Sequence, residues 1–222
     1  MVKELRRQDI TFEMKDQPLR DDVRILGTLV GDLLRDQGGE ALFEIVENAR
    51  LRAIRRREHN EKPGEELAEL VRNLDLSLAM EVIRAFSTYF QMVNTAEKVH
   101  RIRRRREYHQ EYGQYQPGGL EETLVKLKAA GLDLDAATTL FASLRIEPVF
   151  TAHPTEPTRG TILRKEQNIV RKLIDRLNPT MTAQETYVCL QNIRQEMTTG
   201  WQTDEHPSEQ MTVADELEHV LF

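Results

Sequence analysis

His153, Glu156 and Arg159 stand close together in the stretch IEPVFTAHPTEPTRGTILR, Ile146 to Arg164. An imidazole takes or gives a proton near neutral pH, and a guanidinium holds a pair of phosphate or carboxylate oxygens. A carboxylate at a helix start is favoured by the helix dipole, so Glu156 also fits as a plain helix-start residue. Together these groups would suit a site that moves a proton beside a bound oxyanion. Pro154 biases His153 away from the α region. Pro157 is tolerated in a first helical turn, where its missing N–H would have been an orphan. The apolar run with Val149 and Phe150 predicts a strand over about Arg145–Thr151, then a tight turn and a helix. His153 thus falls between strand and helix, where α/β enzymes place catalytic groups and bind anions. Position alone does not distinguish it from a structural histidine.

A second polar cluster, Asp204, Glu205 and His206, follows WQT at 201–203, which reads as a possible second short strand. Joining it to His153 and Glu156 would give a metal-dependent hydrolase, but the spacing matches none of the compact metal motifs and no metal ligand is assigned. Two arginine clusters, Arg50 to Arg57 and Arg101 to Arg106, lie on amphipathic helical segments amid glutamate and aspartate. Either could track phosphates as part of a helical module that binds nucleic acid. The ordinary outcome for such a face is solvation or ion pairing.

The elements that must position these groups are helices. Val23, Leu26, Val30, Leu33 and Leu34 share one helical face, which Gly38 and Gly39 end, and Leu42, Ile45, Val46, Ala49 and Ala53 form the next. After Pro63-Gly64 comes a short helix through Leu67, Leu70, Val71 and Leu74. A long one starts near Ser77, with Val82, Ile83, Phe86, Phe90 and Val93 expected on its buried side. Tyr108 to Gly119 reads as a loop. Helices return at Leu120–Ala130, with Gly131 as C-cap, and at about Asp133–Leu144. Beyond the His153 stretch, one helix runs through Ile162 to Leu177 and ends at Asn178-Pro179. The next opens at Thr182 with Glu185 as a capping box and reaches Gly200. Thr212 opens a further helix whose apolar period is still repeating at Phe222, and we expect the chain to be part of a longer protein.

Over 222 residues the chain is 39% hydrophobic and 31% charged, with a net charge of -6. That balance gives no general attraction to nucleic acid or to an anionic membrane, and no stretch approaches the roughly 18 apolar residues of a membrane span. The single cysteine, Cys189, rules out an intrachain disulfide and suits a reducing, cytoplasmic setting.

The stretch TAHPTE, followed by a helix carrying arginine, resembles the N-terminal active-site signature of phosphoenolpyruvate carboxylase. LRDDVRILGTLVGDLL from Leu19, RAFSTYFQMVNTAEKVHRIRRRRE from Arg84 and WQTDE from Trp201 resemble segments of the same enzyme in the same order, so the likeness covers nearly the whole chain. It implies formation of oxaloacetate and phosphate from phosphoenolpyruvate and bicarbonate, with His153 as general base in the carboxylation step and Arg159, with Glu156, as substrate-binding groups. It further implies Mg²⁺ or Mn²⁺ held by carboxylates beyond residue 222 and a homo-tetrameric intact enzyme; the charge balance and short apolar runs lead us to expect no membrane or nucleic-acid partner. The family's EAxRR reads EPTRG here, so Gly160 removes one local positive charge. The expected fold is mainly α: an arm at residues 1–18, a helical region at 19–144, and at 145–222 the first strand-helix units of an incomplete (β/α)8 barrel. A closed barrel needs eight strands and about 250 residues, so the 222-residue chain alone is expected to be inactive.

Overall fold

Amphipathic stretches separated by glycine and proline punctuation fold here into helices, as a computed structural model shows. The structure describes residues 13–59, 65–110, 115–147, 149, 158–204, 212, 214, 215 and 217. A short 3-10 turn, Met14–Asp16, leads into α1 (Gln17–His59), followed by α2 (Glu65–Arg72), α3 (Leu76–Gln110), α4 (Leu120–Ala129), α5 (Leu134–Ser143), α6 (Gly160–Asp175) and α7 (Ala183–Trp201). Residues 214, 215 and 217 are also helical.

α1 is two helical arms joined at Gly39, whose φ of 79° and ψ of 174° lie outside the helical region. Only glycine adopts such angles without strain. Gly38 is required for another reason: a Cβ there would fall 2.2 Å from Cδ2 of Leu42, a fully buried side chain. The paired glycines therefore bend the chain and let the second arm pack closely at the bend.

The chain divides into two units, residues 1–100 with 164–203, and residues 101–163 with 204–222. The first holds the core. Leu26, Leu33 and Leu34 of α1 meet Val82, Ala85, Met92, Ala96 and Val99 of α3, Ile169 and Leu173 of α6, and Cys189, Ile193 and Met197 of α7 in one buried cluster. These positions recur three or four residues apart, as a buried helical stripe requires, and each large side chain buried contributes about 1.5–3 kcal/mol. Polar ties cross between the helices. Arg176 pairs with the buried Asp22 at 3.4 Å, Asn168 donates to Glu196 at 2.9 Å, and Arg194 pairs with Asp36.

Within the second unit, local capping chemistry sets the helix ends. Gly131, at φ 92°, closes α4: its N–H donates to Lys128 O at 3.1 Å and the Leu132 N–H to Leu127 O at 3.0 Å, the paired bonds of a Schellman motif. Asp133 caps α5 by accepting from the Ala136 N–H at 2.8 Å. No described side chain of this unit is buried.

Several expectations are corrected. WQT is not a strand: Trp201 ends α7, and the Gln202 N–H donates back to Thr198 O at 3.1 Å, so helical bonding continues through the segment. Ile83 and Phe90, expected on the buried side of α3, are 68% and 57% exposed. The stripe through Val82, Ala85, Met92, Ala96 and Val99 takes the core instead. Tyr108 lies in α3, which runs to Gln110 and so shortens the expected loop. Among the described residues there is no strand. Of the expected strand at 145–151, residues 145–147 and 149 are described and carry no ladder, with Ile146 and Val149 87% and 89% exposed. A β-type run takes its hydrogen bonds from a neighbour, and no described residue forms a ladder with these four; the rest of the expected strand lies outside the described residues.

Candidate active site

The helix predicted to follow the His153 stretch is α6, and Arg159 stands immediately before it. Its carbonyl accepts from the Ile162 N–H at 2.9 Å and the Leu163 N–H at 3.2 Å, so Arg159 occupies the helix entry, half-buried. The first turn of α6 carries no acidic residue. The helix dipole puts positive partial charge at that end beside Arg159, a setting that favours an anion. Gly160 opens the helix with no side chain of its own. His153 and Glu156 lie outside the described residues, as does the turn that would bring them to Arg159.

Asp204 is exposed, and its sequence neighbours Glu205 and His206 also lie outside the described residues. Among the described residues no three histidine, cysteine, aspartate or glutamate side chains come together to hold a metal ion. No helix there is long and apolar enough to cross a membrane.

One arginine of each cluster is drawn into a local pair. Arg50 donates to Glu47 through Nε at 2.8 Å and through a terminal nitrogen at 2.6 Å, a bidentate bond that raises its pKa despite burial. Arg104 bonds the Tyr108 hydroxyl at 3.3 Å, pairs with Glu107 and lies 5.1 Å from the Tyr108 ring centre. Those contacts raise its pKa as well, the Tyr108 hydrogen bond foremost. Both arginines thus follow the ion-paired reading of an amphipathic helix face.

Sequence reasoning missed a cleft in the first unit, between the two arms of α1 and α3, with a volume of about 730 Å³. Its signal was present as Gly27 and Gly31, one helical turn apart on a face otherwise read as core. Glycines at that spacing leave bare backbone against which rings can lie.

The sequence matches the family model described as phosphoenolpyruvate carboxylase over residues 19–222. Among curated relatives, the phosphoenolpyruvate carboxylase of Xanthomonas oryzae pv. oryzae is 45% identical over 217 residues, covering 97% of this chain and 24% of the relative. The phosphoenolpyruvate carboxylase of Ralstonia nicotianae is 40% identical over 97% of this chain and 22% of its own length. That of Nitrosomonas eutropha is 38% identical over 97% and 23%. The chain spans about a quarter of the length of the curated relatives it matches. With the match running from the first arm of α1 through the His153–Arg159 stretch and beyond α7, the chain belongs to the phosphoenolpyruvate carboxylase family.

Proposed function

We propose that this chain supplies the segment of a phosphoenolpyruvate carboxylase that carries its proton-transferring histidine, with residues 145–222 forming the start of the barrel. The observation that carries the reading is the family match over residues 19–222, which includes His153, Glu156 and Arg159. In the proposed reaction, bicarbonate oxygen attacks the phosphate of phosphoenolpyruvate, breaking the bond to the enol oxygen and leaving carboxyphosphate and the pyruvate enolate. His153 takes the carboxyl proton of carboxyphosphate. The C–O bond to phosphate then breaks, the CO₂ unit joins the enolate carbon as oxaloacetate, and the imidazolium returns its proton to phosphate. A base with a pKa near neutrality suits both transfers.

Arg159, at the positive end of α6, would hold bicarbonate or phosphate oxygens while charge moves between them. Glu156 would assist from the same turn. A divalent metal implied by the family would neutralise phosphate and enolate charge in the intact enzyme. Among the described residues no cluster of three carboxylate, histidine or cysteine side chains would hold it. The 222-residue chain alone is expected to form no oxaloacetate.

The test uses a chimera in which this chain precedes the remaining three-quarters of the Xanthomonas oryzae relative. Oxaloacetate is followed by coupled NADH oxidation and phosphate is followed separately. His153→Asn should abolish oxaloacetate formation while leaving bicarbonate-dependent phosphate release, because the first step does not need the base. Normal oxaloacetate output from that variant removes His153 from the role.

A further inference from the structure

The cleft of about 730 Å³ in the first unit has the size of a small-molecule site and a lining of two kinds. Its apolar floor includes Val23, Val30, Leu34, Phe43 and Phe86. Arg20, Arg24, Arg35 and Arg50 also line it, with Glu47 as the single carboxylate. The carboxylates that pair with Arg24 and Arg35, namely Asp21, Asp32 and Glu40, do not belong to the lining. A guanidinium presents five N–H donors, so an arginine already bonded on one edge can still receive an anion on another. Arg35 is held with its guanidinium carbon 3.5 Å from the Phe43 ring centre, which fixes a cation directly beside the apolar floor.

α1 carries glycine at two successive turns along the cleft. A Cβ on Gly27 would stand 3.6 Å from Cε2 of Tyr89, and one on Gly31 would stand 3.2 Å from Cε2 of Phe43. The rings of the facing helices therefore close the walls against bare backbone.

We propose that this cleft binds an organic anion with an apolar body, its carboxylate, sulfonate or phosphate head on the arginines and its aliphatic or aryl part against the floor. A cation would find only Glu47 among the lining carboxylates, already bonded twice by Arg50, and a neutral apolar molecule would leave the arginines without a new partner. The site lies in the unit of residues 1–100 and 164–203, and its test reads binding rather than turnover. It therefore stands or falls separately from the carboxylase reading.

Anilinonaphthalene sulfonate, an aryl body with one anionic group, is titrated into the full chain and then challenged with decanoate or decylamine, which share an alkyl body and differ in charge. A saturable component of the fluorescence should be displaced by decanoate and not by decylamine. Gly27→Leu fills the cleft from the α1 side, and Arg24→Glu reverses a charge on a side chain that is 69% exposed. Each should weaken that component about tenfold, with the far-ultraviolet helical signal of Arg24→Glu unchanged. Wild-type affinity in either variant, or competition by decylamine equal to that by decanoate, overturns the proposal.

Discussion

Cys189 shows how far a residue's chemistry is set by what surrounds it. Its side chain is buried beside Ile193 on α7, and its thiol donates to the Lys172 carbonyl at 3.3 Å. Burial pushes the thiol pKa up, against the opposing pull of Arg176 and Lys172. The thiolate is the reactive form, so the native protein should react with Ellman's reagent at mildly alkaline pH far more slowly than the urea-unfolded chain. Equal rates would show that the thiol is accessible. The sign of the linkage follows. The folded state keeps the proton to a higher pH than the unfolded chain, so the contribution to stability is complete below the ordinary thiol range and is lost as pH rises toward the raised value. Urea midpoints measured across that alkaline window, with Cys189→Ala as reference, should show the decline in the native sequence alone. The sequence identified the lone cysteine and the helix it sits on. Its burial depended on α6 packing across it, which no local pattern near residue 189 encodes.

Local signals were most legible at helix ends, where they are backbone chemistry. Gly38-Gly39 read as a stop and is the bend in α1. Gly131 read as a C-cap and closes α4, while Thr182 with Glu185 forms the reciprocal capping bonds expected of it. Less legible was which apolar residues face inward. Ile83 and Phe90 fit an apolar stripe as well as Ala85 and Ala96 do, but small side chains let α3 approach its neighbours closely, and that choice is made by packing partners far away in sequence. The bend in α1 makes this concrete. Gly39→Ala should destabilise the fold by about 1–3 kcal/mol, through backbone strain alone. Gly38→Ala should cost a similar amount, roughly 1–3 kcal/mol, because a methyl would overlap the buried Leu42. In the double variant Gly38→Ala/Leu42→Ala the methyl no longer meets Cδ2. The cost of Gly38→Ala measured in the Leu42→Ala background should then fall, whereas that of Gly39→Ala should not. Urea unfolding of the single and double variants separates the two causes, and equal costs in both backgrounds would remove the steric account of Gly38.

Across the whole chain, stability is expected to be unevenly distributed, because the two units bury such different amounts. Residues 1–100 with 164–203 contain the buried cluster of α1, α3, α6 and α7, including Leu33, Val99 and Ile193, which expose no surface. The described residues of 101–163 contain no buried side chain, and α4 and α5 are only ten residues each. Helices that short are marginal in water unless an apolar face is covered, and capping contributes too little to replace that burial. The Schellman bonds at Gly131 and the Asp133 cap therefore fix where these helices end more than how firmly they hold. Native-state hydrogen exchange resolves the difference directly. Amides in the middle of α7 and in α3 before residue 100 should exchange only through near-global opening, with protection that falls as urea is added. Those of α4 and α5 should exchange through local opening that urea barely changes, at rates about a hundredfold faster or more. Protection of α4 and α5 equal to that of α7 would mean that the second unit draws on burial which its described side chains do not account for, and that stability is shared by the whole chain.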